Sequence, residues 1–416
     1  MIQKWWTDSK FGMFIHWGLF AEPAGEYCGV RTSNIAEWIM HDLHIPVQEY
    51  EKLAANFSAE RFDADDIVRL AVNAGMKYLV FTSKHHDGFA MYDSSVDSYN
   101  IKAETPFGRD PMMELKDACE RYGIIFGLYY SQAQDWHDKD GCEDGIGPEG
   151  KNFERYFHGK CLPQVKEILE RYQPQLLWFD TPMYMTREQS LYLRNFVLSI
   201  SPDCMISGRI GNGLGDYTTT GDNFIPLLPP DYPFEVPATT NGSWGYNRFD
   251  HAWKSPELLL RHLVKIVSRG GNYLLNIGPK ASGEIPAECI LILKRIGDFM
   301  RENGESLYGT MPLPVYPYDI DWGYFTYRPN ADGLTGKFYI HVFENKDSVY
   351  LLNIHNKPIK AYLLKNRYPI KLTERVTCEG DSSWNLQLPM RSQTDIDTVV
   401  CVEVEGSRIE FEPIRR

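Results

Sequence analysis

Apolar runs of strand length alternate with segments of helical period from the start of the chain to about residue 305. One helical segment, DADDIVRLAVNAG, opens with acidic residues that suit a helix N-terminus and closes on Gly75. Another, PELLLRHLVKIVSRGG, begins at Pro256 and ends on glycines. The alternation predicts a parallel sheet covered by helices. The predicted strands are 12–17, 77–83, 124–131, 176–180, 205–208, 234–239 and 273–277.

Seven or eight strands favour a TIM-like (β/α) barrel, an α/β fold, over an open doubly wound sheet. An open sheet of that kind usually carries a glycine-rich phosphate loop, and the sequence has none. In a barrel, the chemistry lies at the carboxyl ends of the strands. The polar residues at or near such ends are His16, His85, His86, Tyr130, Asp180, Arg209 and Glu235.

The pattern changes after NGESLYGT. Short β-rich runs such as FYIHVFEN, SVYLLNI and VVCVEVEG follow, separated by Gly, Asn, Asp and Pro. We therefore predict a catalytic barrel domain over residues 1–305 and an antiparallel β-sandwich over residues 306–416.

Charge and hydropathy limit the possible partners. The formal charge of −13 and the pI near 5.4 disfavour nucleic acid, whose binding depends on Lys and Arg facing phosphates. No apolar run approaches the ~20 residues needed to cross a bilayer, so we expect no membrane partner. No signal-peptide pattern is present at the N-terminus. We expect a cytoplasmic protein, or a periplasmic or secreted one where a leader has been removed; no pattern indicates the oligomeric state.

The aromatic share is high, at 13% with 10 Trp and 25 Tyr. Such rings can fill a core, and they can also stack on a sugar while hydrogen-bonding its hydroxyls. The eight cysteines are scattered without a C-x-x-C pair, so we expect them to be reduced and mostly buried.

The motif LLWFDTP places Asp180 at the end of an apolar strand, just before a turn. A carboxylate there faces the mouth of a barrel, although Asp is also a favoured cap of a following loop or helix. Trp178 lies two positions earlier and shares its face of the strand. A ring beside a carboxylate suits a site that stacks on a sugar and attacks it.

The motif SKHHDGF places two adjacent histidines, His85 and His86, after another apolar strand. Neutral imidazole suits sugar hydroxyls because it offers a donor and an acceptor. Two alternatives are a buried structural pair and a metal site that also uses His16 and Asp180. The absence of H-x-H and H-E-x-x-H spacing disfavours the metal, so we expect no metal or other cofactor. Arg209, in SGRIG, could hold a carboxylate or a ring hydroxyl, or form a surface salt bridge.

Several motifs together resemble glycoside hydrolase family 29, the α-L-fucosidases, from about Trp5 to Thr310. They are KFGMFIHWG, EWIMHD, TSKHHDGFAMYDS, GLYYS, LLWFDTP, SWGYNRFD, RGGNYLLNIGPKASGEIP and IGDFMRENGESLYGT. The resemblance implies a catalytic (β/α) barrel followed by a β-sandwich. It also implies exo-acting, retaining hydrolysis of terminal α-L-fucosyl linkages, with a fucosylated oligosaccharide or glycan as substrate.

The resemblance assigns roles position by position. Asp180 matches the family's nucleophile. The positions that match contacts to the fucose ring are His16, Glu37, Trp38, His85, His86, Tyr130, Trp178 and Arg209.

The acid/base residue varies in the family. Many members resemble GDY-x-T-P-E, and this chain has GDYTTTGDNFIP without that Glu, which leaves Asp222 nearest. We favour Glu235 in FEVPATTNGSWGY, with Asp222 as the alternative. For the fucose methyl group we expect an apolar wall near Phe14, Phe89 or Trp244.

Two other classes of protein remain open from the sequence. One is a carbohydrate-binding protein of the same fold with weak or no catalysis, because the T-P-E glutamate is missing. The other is a metal-dependent barrel hydrolase.

Overall fold

The structure, a computed structural model, describes residues 2–143, 148–313, 321–352, 354–376, 382–390 and 395–410. Eight parallel strands form one sheet in the first part of the chain. They are β1 (Phe11–Ile15), β2 (Tyr78–Lys84), β3 (Ile125–Ser131), β4 (Leu176–Asp180), β5 (Met205–Ile206), β6 (Thr218–Thr219), β7 (Phe234–Thr239) and β8 (Asn272–Ile277). The predicted parallel α/β sheet is confirmed.

The order of strands across the sheet is β5-β4-β3-β2-β1-β8-β7-β6. The strands therefore follow chain order around a curled sheet, with one interruption between β5 and β6. At that interruption the backbone N–H of Asp216 donates to the Ile206 carbonyl at 2.8 Å. The Ile206 N–H donates in turn to the Asp216 side chain at 2.9 Å.

Two strands differ from the sequence prediction. The strand predicted over 205–208 ends at Ile206, because a short 3-10 helix, Gly208–Ile210, follows it at once. The strand Thr218–Thr219 was not predicted, since two polar residues give no apolar run.

Helices connect the strands, and both of the predicted ones are confirmed. The Asp63 side chain accepts from the Asp66 N–H at the start of one, and Ser255 caps the other just before Pro256. The helices are α1 (Lys4–Ser9), α2 (Ile39–Asp42), α3 (Val47–Tyr50), α4 (Ala64–Asn73), α5 (Ile101–Glu104), α6 (Pro111–Tyr122), α7 (Phe153–Tyr156), α8 (Leu162–Glu167), α9 (Arg187–Ile200), α10 (Pro256–Ser268) and α11 (Ala287–Asn303).

Two antiparallel sheets follow. One has the order β9-β10-β11-β16-β13 and the other β12-β15-β14. They share one hydrophobic cluster, to which Phe338 and Ile340 contribute from the first sheet and Trp384 and Leu386 from the second. The strands are β9 (Met311–Pro312), β10 (Gly323–Pro329), β11 (Thr335–Val342), β12 (Ser348–Leu352), β13 (Pro358–Leu363), β14 (Lys371–Val376), β15 (Ser382–Gln387) and β16 (Thr398–Glu405).

Aromatic rings line the inner face of the curled parallel sheet. Trp178 of β4 stacks on Tyr129 of β3 with 5.7 Å between centroids and 20° between planes. Phe14 of β1 meets the edge of Trp178 at 4.9 Å. Tyr129 and Trp178 occupy paired positions on adjacent strands, and Phe14 reaches Trp178 from β1, beyond β2 in the sheet. The rings of Phe14, Tyr129 and Trp178 pack together beneath the strand ends, and we call them the aromatic floor.

The seven cysteines among the described residues are unpaired, and only Cys28 is exposed. Cys378 lies outside the described residues. Within the described part of the chain, no helix is both long and apolar enough to span a membrane.

The packing of α11 against α4 depends on Gly297. A Cβ at this position would lie 2.0 Å from the Asn73 carbonyl oxygen. We predict that Gly297→Ala lowers the free energy of unfolding by about 1–3 kcal/mol, although Ala is the better helix former. Thermal unfolding measures the change, with Lys294→Ala on the exposed side of α11 as control. A Gly297→Ala variant as stable as the parent would contradict this close approach.

Candidate active site

A cavity of about 300 Å³ opens at the carboxyl ends of the parallel strands. Its volume lies at the lower end of the range for ligand sites. Of the twelve site residues predicted from the sequence, ten line it. They are His16, Glu37, Trp38, His85, His86, Trp178, Asp180, Arg209, Asp222 and Trp244.

Asp180 ends β4, and its carboxylate is held by three donors. Oδ2 accepts from the Tyr129 hydroxyl at 2.9 Å. Oδ1 accepts from Arg209 Nη1 and from the Thr181 N–H, each at 2.9 Å. Thr181 has a φ of +50°, which is rare for a β-branched residue and brings its N–H onto the carboxylate. The carboxylate is therefore fixed in one orientation at the cavity wall.

Arg209 joins two carboxylates across the cavity. Nη1 contacts Asp180, and Nη2 forms an ion pair with Asp222. The guanidinium carbon lies 4.8 Å from the centroid of the Trp178 ring. Burial disfavours the charge, but Asp180 and Asp222 outweigh it and raise the pKa of Arg209 above its usual value. Arg209 is thus a permanent cation that sets the spacing of the two acids.

The hydrogen-bond network fixes the tautomer of His16. The amide nitrogen of Asn276 donates to the Trp244 carbonyl at 2.7 Å, so its oxygen faces His16 Nδ1, also at 2.7 Å. Nδ1 therefore carries the proton. Burial lowers the pKa of His16 to about 4, so the ring is neutral near pH 7. Its Nε2 is left as an acceptor.

The hydrogen-bond network also fixes the tautomer of His86. The Ser131 hydroxyl donates to the Gln134 carbonyl at 2.9 Å and so accepts from His86 Nδ1 at 2.7 Å. Burial lowers the pKa of His86 well below its usual value. Its Nε2 lone pair then faces Asp180 Oδ2 at 3.7 Å, which places two acceptors side by side. A ligand hydroxyl between them would supply the missing proton.

Two further polar atoms at the cavity are buried without a partner, Glu37 Oε1 and His85 Nδ1. The other Glu37 oxygen, Oε2, accepts from the Gly245 N–H at 2.8 Å. Burial raises the pKa of Glu37 to about 7. Because buried polar atoms are rarely left unpaired, these two atoms are available to hydrogen-bond a ligand.

Aromatic rings form the opposite wall. Trp244 lies 4.9 Å from the His16 ring, and Phe14 lies 5.9 Å from Trp244. Both line the cavity. Phe89 was also proposed for this wall, but it packs against Tyr99 at 4.9 Å in the hydrophobic core. The cavity therefore has a polar side and an apolar side, a combination that suits a sugar ring.

The prediction for Tyr130 was wrong by one position. Its hydroxyl donates to Gln164 at 2.9 Å on the outer face of β3. The neighbouring residue, Tyr129, binds Asp180 instead. Ser131 pairs with Asp180 and Tyr129 with Trp178 in the register of β3 and β4, so Tyr129 shares the inner face. Aligning the strand ends in the sequence, Ser131 with Asp180, would have found it.

The structure also contradicts Glu235 as a residue that contacts ligand. It is the second residue of β7, at the end remote from the cavity, and it is fully buried. Its carboxyl accepts from the Tyr78 hydroxyl at 2.7 Å and Trp178 Nε1 at 2.8 Å, and Tyr217 is 3.2 Å away. Burial raises the pKa of Glu235 to about 7. The motif FEVPATTNGSWGY does contain a strand, but Thr239, and not Glu235, lies at the end of β7 that faces the cavity.

Asp222, the alternative acid, lies on the loop after β6. It lines the cavity, and 44% of its side chain is exposed. Asp222 therefore places a second carboxyl at the cavity mouth, in addition to the carboxyl of Asp180 in the cavity wall. Among the described residues, no group of three or more His, Cys, Asp or Glu side chains could hold a metal ion.

A pair of carboxylic acids at one cavity is the arrangement that glycoside hydrolases use. The family model for α-L-fucosidase matches residues 1–305, and the chain belongs to this family.

Solved structures of relatives agree. An α-L-fucosidase from Vibrio sp. strain EJY3 is 34% identical, with a TM-score of 0.92 over 99% of this chain and 74% of that one. An α-L-fucosidase from Lactobacillus casei, in complex with the α-L-fucose product, is 41% identical, with a TM-score of 0.67 over 72% of this chain and 99% of that one. A family 29 enzyme from Bacteroides thetaiotaomicron, trapped as a covalent intermediate, is 26% identical, with a TM-score of 0.86 over 96% and 95%.

We predict that Tyr129→Phe lowers kcat/KM for 4-nitrophenyl α-L-fucoside by about 10- to 100-fold. The hydroxyl donates to the Asp180 carboxylate, and bonds to charged groups contribute about 1.5–3 kcal/mol. The matched control is Tyr130→Phe, which removes a hydroxyl from the outer face of the same strand and should change stability rather than kcat/KM. Equal losses in the two variants would contradict the assigned faces.

Glu37 should make the protein less stable as the pH rises. Its pKa is about 7 when folded and near 4.5 when unfolded, so the folded state binds more protons between these values. Stability contributed by the protonated group is full below about pH 4.5 and is lost as the pH rises through 7. We predict that Glu37→Gln matches the parent at pH 4.5 and exceeds it at pH 8, by at most about 3 kcal/mol. Thermal unfolding of both proteins at both pH values measures this. A difference in stability between Glu37→Gln and the parent that is the same at pH 4.5 and pH 8 would contradict the prediction.

Proposed function

We propose that the protein is an exo-acting α-L-fucosidase that hydrolyses terminal α-L-fucosyl linkages with retention of configuration. The observation that carries the proposal is the ion-paired triplet of Asp180, Arg209 and Asp222 at one cavity. A retaining glycosidase needs one carboxylate that meets the anomeric carbon and one carboxylic acid that protonates the leaving oxygen. The trapped covalent intermediate of the Bacteroides thetaiotaomicron relative supports the same mechanism for this chain.

The depth of the cavity supports attack on a chain end. His16, Glu37, His85 and His86 are all nearly fully buried, so the inner end of the cavity is closed. The exposed carboxyl, Asp222, lies at the open side. A terminal sugar would fill the inner end, with its leaving group toward solvent.

Asp180 is the proposed nucleophile. Its oxygen attacks C1 and forms a glycosyl ester, while the bond from C1 to the leaving oxygen breaks and Asp222 gives that oxygen a proton. Water then attacks C1, Asp222 takes a proton from the water, and Asp180 is released as a carboxylate. Asp222 replaces Glu235 in this role because it lines the cavity and Glu235 does not.

Arg209 links the two steps. When the ester forms, Asp180 loses its charge, and Asp222, having given up its proton, remains the anionic partner of the guanidinium. Arg209 therefore has an anionic partner in both steps.

The sheet that holds the site is proposed to close into a (β/α) barrel over residues 1–305, with a β-sandwich domain over 306–416. The pair of hydrogen bonds between Asp216 and Ile206 supports closure at the interruption of the sheet.

The function is tested first at Asp180. We predict that Asp180→Ala lowers kcat for 4-nitrophenyl α-L-fucoside by on the order of 10³-fold or more. Incubation of the parent with 2-fluoro-fucosyl fluoride should give a covalent adduct, and peptide mass spectrometry should locate it on Asp180. A label on another residue, or turnover retained in Asp180→Ala, would reject the assignment.

The acid is tested by leaving group. We predict that Asp222→Asn lowers kcat/KM for phenyl α-L-fucoside by about 10²-fold or more, and for α-L-fucosyl fluoride far less, because fluoride leaves without a proton. The control is Glu235→Gln, which should affect both substrates alike. The opposite pattern would return the role to Glu235.

A further inference from the structure

The ammonium group of Lys254 makes an unusual set of contacts just before α10. Its Nζ donates to Asn223 Oδ1 at 2.8 Å, to the Thr239 carbonyl at 2.7 Å and to the Thr239 hydroxyl at 3.0 Å. These contacts use all three ammonium donors on uncharged oxygens. Among the described residues, no carboxylate lies within ion-pair distance of it. The charge therefore serves to join two segments of backbone rather than to neutralise an acid.

The segment held in this way is the one that carries Asp222. Asn223 follows it directly and has a φ of +58°, a left-handed conformation that asparagine tolerates. Asn223 Oδ1 also accepts from the Thr239 N–H at 3.0 Å, and the Asn223 N–H donates to the Pro237 carbonyl at 2.9 Å. On the other side of Asp222, the Thr220 N–H donates to the Glu235 carbonyl at 3.0 Å.

The segment that carries Asp222 is thus hydrogen-bonded to β7 on both sides of Asp222. Its own side chain is 44% exposed, and Arg209 is the partner that holds it. That ion pair is a contact to one oxygen, Oδ1, so it sets the distance to the guanidinium and leaves the direction of the carboxyl to the backbone. The direction in which the carboxyl points is therefore set by the backbone at Asn223, and Lys254 supplies the charged contact that holds the Asn223 side chain against Thr239.

We propose that Lys254 is a positioning residue for the proton-transfer steps, because it fixes Asn223 and so the direction of the Asp222 carboxyl. The inference rests on the proposed role of Asp222 as acid/base. Lys254 does not line the cavity. Its loss should therefore impair protonation of the leaving group and leave attack by Asp180 intact.

The test compares Lys254→Met with the parent on two substrates. Phenyl α-L-fucoside needs a proton on its leaving oxygen, and α-L-fucosyl fluoride does not. We expect kcat/KM for the phenyl substrate to fall by about 10-fold, a part of the 10²- to 10⁴-fold that general acids contribute. For the fluoride we expect a change below about 3-fold. A merely structural role would lower both values alike.

Controls separate the possible failures. Lys265→Met removes another half-buried lysine, on the neighbouring helix α10, and should give no dependence on the leaving group. Asn223→Ala, which also loses the contact with the Thr239 N–H, should show at least the Lys254→Met dependence on the leaving group, and the double variant should lose less than the product of the two single losses, since both variants remove the contact between Lys254 and Asn223.

Asp222→Asn decides which idea fails. If it shows no dependence on the leaving group, the assignment of Asp222 falls, and this inference with it. If it shows the dependence while Lys254→Met lowers both substrates equally or neither, only the role of Lys254 is overturned. Thermal unfolding of each variant confirms that the protein tested is folded.

Discussion

The ion pairs of Arg209 with Asp180 and Asp222 are the interaction on which the site depends. Two carboxylates at one small cavity would repel each other, and the guanidinium between them removes that repulsion while fixing their distance. Lysine could not do this, because it lacks a planar fork. Arg209 in turn rests on the Trp178 ring, so the position of the charges depends on the aromatic floor.

The arrangement of the aromatic floor follows from the register of the strands. Tyr129 and Trp178 lie side by side because β3 and β4 pair in parallel, with Ser131 opposite Asp180. The buried carboxyl of Glu235 holds the indole N–H from below, and Tyr78 donates to the same carboxyl. A polar group deep in an apolar core is costly unless it is satisfied, and here it fixes the ring that supports the site. Glu235, which was first proposed as the acid, therefore holds the Trp178 ring in place.

The sequence predicts the elements and most of the chemistry, and the errors concern where a side chain lies once the chain is folded. Apolar runs with polar tips located Asp180, His85 and His86, because strand ends in parallel sheets meet at one edge. Tyr130 and Glu235 were misplaced because a motif gives the strand but not the direction or end from which a side chain enters the cavity. Asp222 was the alternative because it is only the nearest substitute for the missing T-P-E glutamate, and its position depends on a loop whose course is set by distant contacts such as Lys254 with Thr239. Thr218 and Thr219 form a strand through pairing alone.

The neutral state of the buried histidines also determines the electrical character of the cavity. With His16 and His86 uncharged, Arg209 balances the charge of Asp180 while Asp222 holds the proton for the leaving group, and Glu37 adds a negative charge as it ionises. The charge at the inner end therefore becomes net negative as Glu37 ionises. In glycoside cleavage, positive charge develops on the ring oxygen and the anomeric carbon, and a preorganised negative field stabilises that charge without reorganisation of solvent. Protonated imino-sugars, which carry such a charge in the ground state, are matched to this cavity for the same reason.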